Sequence, residues 1–263
     1  MKISIIGCGK MGGGIASRLA TEHELALYDH HKALTRQIAN EMGVTCCEDV
    51  SEAVAFGEIV ILAVKPKDLG TAAKEIYRQM KKEQLLVSIL VGVTTDTLQQ
   101  HFGKIPVLRI MPNLAVMQGQ GVIGIADTEH LPQNFKDKVN QAFSCLGNLH
   151  WIPENQMDGL TAITGSGPAF LFVIIESIIE AGIAMGLSPE EAKKLAIELF
   201  SSTIAMLQGT DKHPADLKWD IASPSGTTIA GLNALEDHSV RAGIINALLA
   251  TYNRAKEISE GVK

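Results

Sequence analysis

The chain has 263 residues, 46% of them hydrophobic, which suffices for a full core without disulfides or metal, in one large domain or two modest ones. Lys and Arg number 23 against 29 Asp and Glu, a net charge of -6 that argues against nucleic acid or an anionic membrane as the main partner. Aromatic residues make up only 5%, too few for base-stacking platforms. The four cysteines, Cys8, Cys46, Cys47 and Cys145, form no C-x-x-C, and the adjacent pair Cys46-Cys47 is a poor disulfide; they read as reduced thiols of a cytoplasmic protein. No signal peptide precedes the first strand, so a soluble location is expected.

Ile3, Ile5 and Ile6 form a short apolar strand near the amino terminus. Gly7, Gly9 and Gly12 follow it in the pattern G-x-G-x-x-G, with Lys10 and Met11 between the second and third glycines. The three glycines meet three physical needs, in order a sharp turn out of the strand, close approach of a pyrophosphate to the main chain, and tight packing of the next helix. The competing reading is a glycine-rich turn without ligand, which Gly13 and Gly14 keep open. A second strand ends at Asp29, 22 residues after Gly7, where a Rossmann acid grips a ribose 2′-hydroxyl; this favours NADH. His30, His31 and Lys32 come next and could instead favour the 2′-phosphate of NADPH. As a metal site the histidine pair is poor, and no metal is expected.

A helix over 33–42 leads to a short strand at 44–46, and Ser51 is the expected cap of a brief helix. The apolar run 58–64 reads as a parallel strand covered on both faces, ending at Val64-Lys65-Pro66, where open α/β sheets bind ligands. A helix over 68–80, a strand over 85–90, a short helix over 94–100 and a strand over 106–113 ending at Asn113 continue the alternation. Strands at 121–126 and 148–152, joined by a helix over 133–143, close a mostly parallel sheet. The expected boundary lies near 152: a dinucleotide-binding Rossmann domain over 1–152, then an all-α domain over 153–263.

Helices are expected over 154–163, 169–186, 189–208, 226–236 and 239–259. Ser188 before Pro189-Glu190-Glu191 is a clear helix start. The helix over 169–186 is apolar nearly all round and raises a membrane question. Glu176 and Glu180 interrupt it, and Gly182 and Gly186 suit close packing, so it reads as a buried helix. A domain of about 110 residues cannot easily bury it alone, so self-association through this half is expected.

Two stretches of this half look built for more than packing. In 158–170, Thr161, Thr164 and Ser166 offer hydroxyls around a Gly-Ser-Gly-Pro break between helices. In 221–232, Pro224 disfavours helix before it, and Ser225, Gly226, Thr227 and Thr228 form the amino end of the next helix. Unpaired N–H groups, a favourable dipole and hydroxyls make that end a natural cradle for a small carboxylate. For both, an ordinary turn with caps is the competing reading. There is no G-x-S-x-G elbow and no H-E-x-x-H, so the chemistry should come from the cofactor.

With these motifs the chain resembles the pyrroline-5-carboxylate reductases over essentially its whole length. The loop at Gly7–Gly12 resembles that family's cofactor loop, Val64-Lys65-Pro66 its V-K-P turn at the nicotinamide end, and Arg109-Ile-Met-Pro-Asn113 its R-x-M-P-N motif. Residues 158–170 resemble D-A-x-T-A-x-S-G-S-G-P-A-Y, and 223–228 resemble the substrate loop S-P-G-G-T-T. The resemblance implies NADPH- or NADH-dependent reduction of 1-pyrroline-5-carboxylate to proline, with Asn113 among the cofactor residues. It implies that Thr161, Ser225, Gly226, Thr227 and Thr228 serve the substrate, with Thr228 facing the ring nitrogen. It also implies a dimer, with larger rings of dimers possible. Thr164 stands where the family usually has Ser, Phe170 where Tyr is common, and Ser225 in place of the first Gly of the substrate loop. If that position needs positive φ, Ser225 is strained. The other readings are a related imine or β-hydroxyacid reductase, the latter usually needing a catalytic Lys that has no match here, and a dinucleotide-sensing protein without turnover.

Overall fold

The computed structural model describes residues 1–128 and 131–261. The first part alternates β1 (Lys2–Ile6), α1 (Lys10–Leu19), β2 (Glu24–Tyr28), α2 (Lys32–Met42), β3 (Thr45–Cys46), α3 (Val50–Phe56) and β4 (Ile59–Leu62). It continues with α4 (Leu69–Tyr77), β5 (Leu85–Ser88), α5 (Thr95–Phe102), β6 (Val107–Met111), β7 (Gly121–Asp127), α6 (Gln133–Phe143) and β8 (Gly147–Pro153). These strands form one sheet in the order β3-β2-β1-β4-β5-β6-β7-β8. Pairing is parallel except between β6 and β7. The sheet is the expected mostly parallel one. Its chain order reverses at β1, which pairs with β2 on one side and β4 on the other, and that switch opens a crevice at the carboxyl ends of these strands.

Alternation along each strand explains why both faces are covered. Ile3 and Ile5 of β1, Ile59 and Ile61 of β4, and Leu85 and Val87 of β5 join one apolar cluster. Ile6, Val60, Leu62 and Leu86 join a second cluster on the other face. With side chains projecting to opposite faces at every step, a run apolar at all positions fits only a strand with helices on both sides.

Beyond β8 the described residues contain helices and no strand: α7 (Met157–Leu160), α8 (Gly167–Ala184), α9 (Pro189–Gln208), α10 (Pro214–Ile221), α11 (Thr227–Asp237) and α12 (Val240–Gly261). Packing divides the chain into two compact units, Met1–Gly165 with Thr251–Lys263, and Ser166–Ala250. In the second unit Gly182, Ala192 and Ala196 are the buried residues.

Several expectations need correction. The cap of α3 is Asp49, whose carboxylate accepts from the Glu52 N–H at 2.9 Å; Ser51 already lies inside the helix. The stretch around 164–168 is no break: Thr161–Ser166 forms a π-helical turn and helical structure runs from Glu154 to Ala184. The glycines there signal a helix stop, but a wider turn carries the helix through them. Helix α10 lies outside the expected helices, although Pro214 at its first position and the His213 ring accepting from the Ala215 N–H mark its start. Helix α8 is not buried within the single chain: Leu171, Phe172 and Val173 are 51%, 68% and 60% exposed. The start of α9 matches its expectation, with Ser188 and Glu191 in a reciprocal capping box.

Candidate active site

The glycine loop shows how three residues without side chains serve three purposes. Gly7 has φ +105°, and a Cβ there would lie 2.6 Å from the Ala63 backbone, so only glycine makes this turn. A Cβ on Gly12 would strike the Gly7 carbonyl oxygen, so the small residue lets α1 close onto β1. Around Gly9, by contrast, a Cβ would meet nothing within 4 Å. That open space lies at the amino end of α1, where Gly9 occupies the cap position and caps with no side chain. A helix start with free N–H groups and room above it is a cradle for a phosphate.

The structure gathers six of the eleven expected cofactor residues around one cleft, without Lys10, Met11, Gly12, Pro66 or Asn113. Gly7, Gly9, Asp29, His30, Val64 and Lys65 line it together. They come from the carboxyl ends of β1, β2 and β4, three neighbouring strands. Lys10 opens α1 and Met11 follows it, while Pro66 begins a 3-10 turn that takes the chain away from β4. Asp29 Oδ2 accepts from the Cys8 N–H at 2.7 Å and Oδ1 from the His31 N–H at 3.0 Å, so this acid braces the loop as well as lining the cleft. Burial, then the charge of Asp29, pushes the Cys8 thiol up to about 12. The thiol donates to the Tyr28 carbonyl at 3.7 Å. Cys8 is therefore a packing group and not a nucleophile. All four cysteines are free thiols.

Asn113 stands three strands from β1, just past β6. Its amide donates to the Thr164 carbonyl at 3.0 Å and accepts from the Val122 N–H at 3.2 Å. It bridges the π-helical turn to β7, which leaves one amide hydrogen for any ligand. Thr161 Oγ1 donates to the Met157 carbonyl at 2.7 Å, which keeps its lone pairs available as acceptors.

A charged cluster here escapes a reading of the sequence. Arg109 is 1% exposed in the middle of β6. Its guanidinium donates to Glu154 and Asp158, each at 3.4 Å. Glu154 also accepts from the Thr95 N–H at 2.7 Å, and Asp158 from Ser259 Oγ at 3.0 Å. An Arg inside the apolar strand Val-Leu-Arg-Ile-Met signals a buried ion pair, but its partners lie 45 and 49 residues away and only the fold names them.

The helical unit carries the second expected site. Ser223, Pro224, Ser225 and Gly226 form a tight turn, closed by the Gly226 N–H donating to the Ser223 carbonyl at 3.0 Å. Pro sits at the second position and Ser225 at the third with φ +58°, the place where a type II turn prefers glycine. The expected strain at Ser225 is therefore present. Gly226 caps α11 with extended backbone and no side-chain hydrogen bond, so the N–H groups of Thr227 and Thr228 open the helix without a side-chain partner. The helix starts at Gly9 and at Gly226 both lack a side-chain cap.

Known proteins resemble both halves of this chain. Residues 154–258 match a family model for pyrroline-5-carboxylate reductase dimerisation, and residues 2–92 match one described as NADP oxidoreductase coenzyme F420-dependent. The chain is 33% identical to a pyrroline-5-carboxylate reductase of Synechocystis over 99% of both chains. It is 32% identical to one of Arabidopsis thaliana over 98% of this chain and 96% of the other. A Plasmodium falciparum pyrroline carboxylate reductase solved with NADP bound superposes with TM-score 0.90, at 29% identity and 98% coverage of each chain. The enzyme from Streptococcus pyogenes gives 0.91 at the same identity and coverage. The chain belongs to the pyrroline-5-carboxylate reductase family.

Proposed function

We propose that this chain reduces the cyclic imine of 1-pyrroline-5-carboxylate to L-proline with NADPH or NADH. What carries the reading is that the likeness to named pyrroline-5-carboxylate reductases runs end to end, so both the cofactor loop and the loop over 223–228 fall inside it. The glycine cradle fits a dinucleotide, because the space above Gly9 is open and the helix start beneath it is uncapped. Bound there, a reduced nicotinamide would supply the hydride for the imine carbon, and a proton must reach the ring nitrogen for the C=N bond to become CH–NH. Gly7, Gly9, Lys10, Met11 and Gly12 would hold the pyrophosphate, Asp29 and His30 the adenosine ribose, and Val64, Lys65 and Pro66 the nicotinamide end, with Asn113 a further cofactor residue. Ser225, Gly226 and Thr227 bind the substrate carboxylate through backbone N–H and hydroxyl groups at the start of α11, and Thr161 is a further substrate residue. Thr228 directs its hydroxyl to the ring nitrogen. A threonine hydroxyl is too weak an acid to be a free-standing proton source, so it acts by orienting the imine or a water.

The functional domains are 1–152 for the cofactor and 153–263 for self-association and substrate. A second copy covers the exposed apolar face of the helical half, which the dimerisation match over 154–258 supports. Rings of such dimers and a cytoplasmic location complete the proposal.

The test follows NADPH and NADH absorbance in parallel with pyrroline-5-carboxylate and assays proline formed. Rapid oxidation with stoichiometric proline is expected. A folded dimer that binds cofactor and leaves the substrate untouched would overturn the assignment. Thr228→Ala should lower turnover with little change in NAD(P)H binding; unchanged turnover would remove Thr228 from the site.

A further inference from the structure

The cofactor cleft also contains the information that selects between the two cofactors, an inference that rests on reading it as an NAD(P)H site. Asp29 follows directly on β2 and lines the cleft beside Gly7 and Gly9. Its two oxygens are held on separate backbone donors, Cys8 N–H at 2.7 Å and His31 N–H at 3.0 Å. The first donor belongs to the glycine loop itself, so the carboxylate cannot swing aside without releasing that loop. A ribose 2′-hydroxyl can donate to such an acid. A 2′-phosphate, with a charge of about -2, would meet the fixed carboxylate at close range.

Cations could offset that repulsion, and the sequence offers Lys32 and Arg36 on α2, the helix that starts just after Asp29. Both are engaged by one acid. Glu48 accepts from Arg36 at 2.6 Å and stands 3.4 Å from Lys32. Glu75 adds a further carboxylate to the rim of the cleft. Lys65 and Lys67 also border it, but they follow β4, on the far side of β1 from β2. Two strand spacings, about 10 Å, separate them from the end of β2. His30 and His31 are the remaining basic groups beside Asp29.

We infer that Asp29, with Glu48 holding the two cations of α2, makes NADH the preferred cofactor of this chain. The experiment is direct titration of NADH and NADPH by fluorescence on the protein, without substrate, at one fixed pH and ionic strength. The variants are Asp29→Asn, Asp29→Ser and Glu48→Gln. The native protein should bind NADH about tenfold or more tightly than NADPH, the scale of one hydrogen bond to a charged group. Asp29→Asn, which keeps size and removes charge, should bring the two dissociation constants together, and Asp29→Ser should do so further. Glu48→Gln should tighten NADPH severalfold and leave NADH where it was. Equal affinities in the native protein, tighter NADPH, or an equal change for both cofactors on removing the Asp29 charge would overturn the preference while leaving the NAD(P)H site intact. Failure of the native protein to bind either would overturn the site and the preference together. Should Asp29→Ser not fold, the native ratio and Asp29→Asn still decide the question.

Discussion

The two compact units of this chain satisfy the same hydrophobic requirement in different ways. In the first, every residue of Ile59–Leu62 and Leu85–Ser88 is buried, and alternate side chains feed two separate clusters. In the second, α9 buries two alanines over its whole length, and α11 buries nothing within the single chain. Leu195, Ile197, Leu199, Ile204 and Met206 on α9 stand about half exposed or more. A sheet wrapped by its own crossover helices completes its core locally. A set of apolar helices with so little buried between them must find its core elsewhere, and the second copy supplies it.

The largest test of this contrast is to charge the exposed face. Phe172→Asp with Val173→Asp should weaken self-association by about a thousandfold, if each residue is worth roughly 2 kcal/mol at an interface core. Sedimentation should show monomer, while NADH still binds the first unit. A double variant that stays dimeric would place the interface elsewhere. Next in size is the buried ion cluster of the first unit. Arg109→Met removes the cation that holds Glu154 and Asp158, and should cost about 3 kcal/mol by chemical denaturation. A cost below about 1 kcal/mol would mean that those two acids are satisfied by Thr95, Ser259 and water.

The glycine loop separates packing from binding within four residues. Gly12→Ala should destabilise by roughly 2 kcal/mol, because its methyl has no room against the Gly7 carbonyl. Gly9→Ala meets nothing and should leave Tm unchanged, yet lower NAD(P)H affinity by crowding the phosphate cradle. Equal effects of the two on Tm would contradict the assignment of separate roles. In the second unit, Ser225→Gly should raise stability by about 1 kcal/mol by relieving the left-handed conformation at φ +58°. No gain would show that the Ser side chain compensates its own strain.

The smallest effect is a pH dependence. The Cys8 thiol is raised by burial and by Asp29 from an ordinary 9.0 to about 12. The folded state therefore holds a proton that the unfolded state releases first. The corresponding stability is fully present below about pH 9 and is lost between about pH 9 and about pH 12. Cys8→Ala should flatten that part of the stability profile, measured by denaturation across the alkaline range. An unchanged slope would assign it to Tyr28, whose hydroxyl is raised by burial and Glu75, or to Cys47, raised by burial to about 11.

Local signals suffice wherever one segment carries the whole physical reason. The glycine spacing announces the tight turn into α1, the acid at position 29 announces the end of β2, and Ser188-Pro189 announces the start of α9. The same signals mislead where neighbouring residues compete for a role. Asp49 displaces Ser51 as a cap, and the glycines at 165 and 167 ride through a π-helical turn instead of stopping the helix. Helix α10 is a matter of strength: eight residues with little apolar periodicity carry a weak signal.

The sequence by itself determined the alternation of strands and helices, the place of the glycine loop and the strain awaiting Ser225, because periodicity, glycine spacing and turn chemistry are local properties of the chain. Only the tertiary structure decided that Asn113 ties β7 to the π-helical turn, that Arg109 finds Glu154 and Asp158, and that Glu48 occupies the cations beside Asp29. Those pairings join residues far apart in the chain. Their energies depend on burial and distance, which exist only once the fold has brought the groups together.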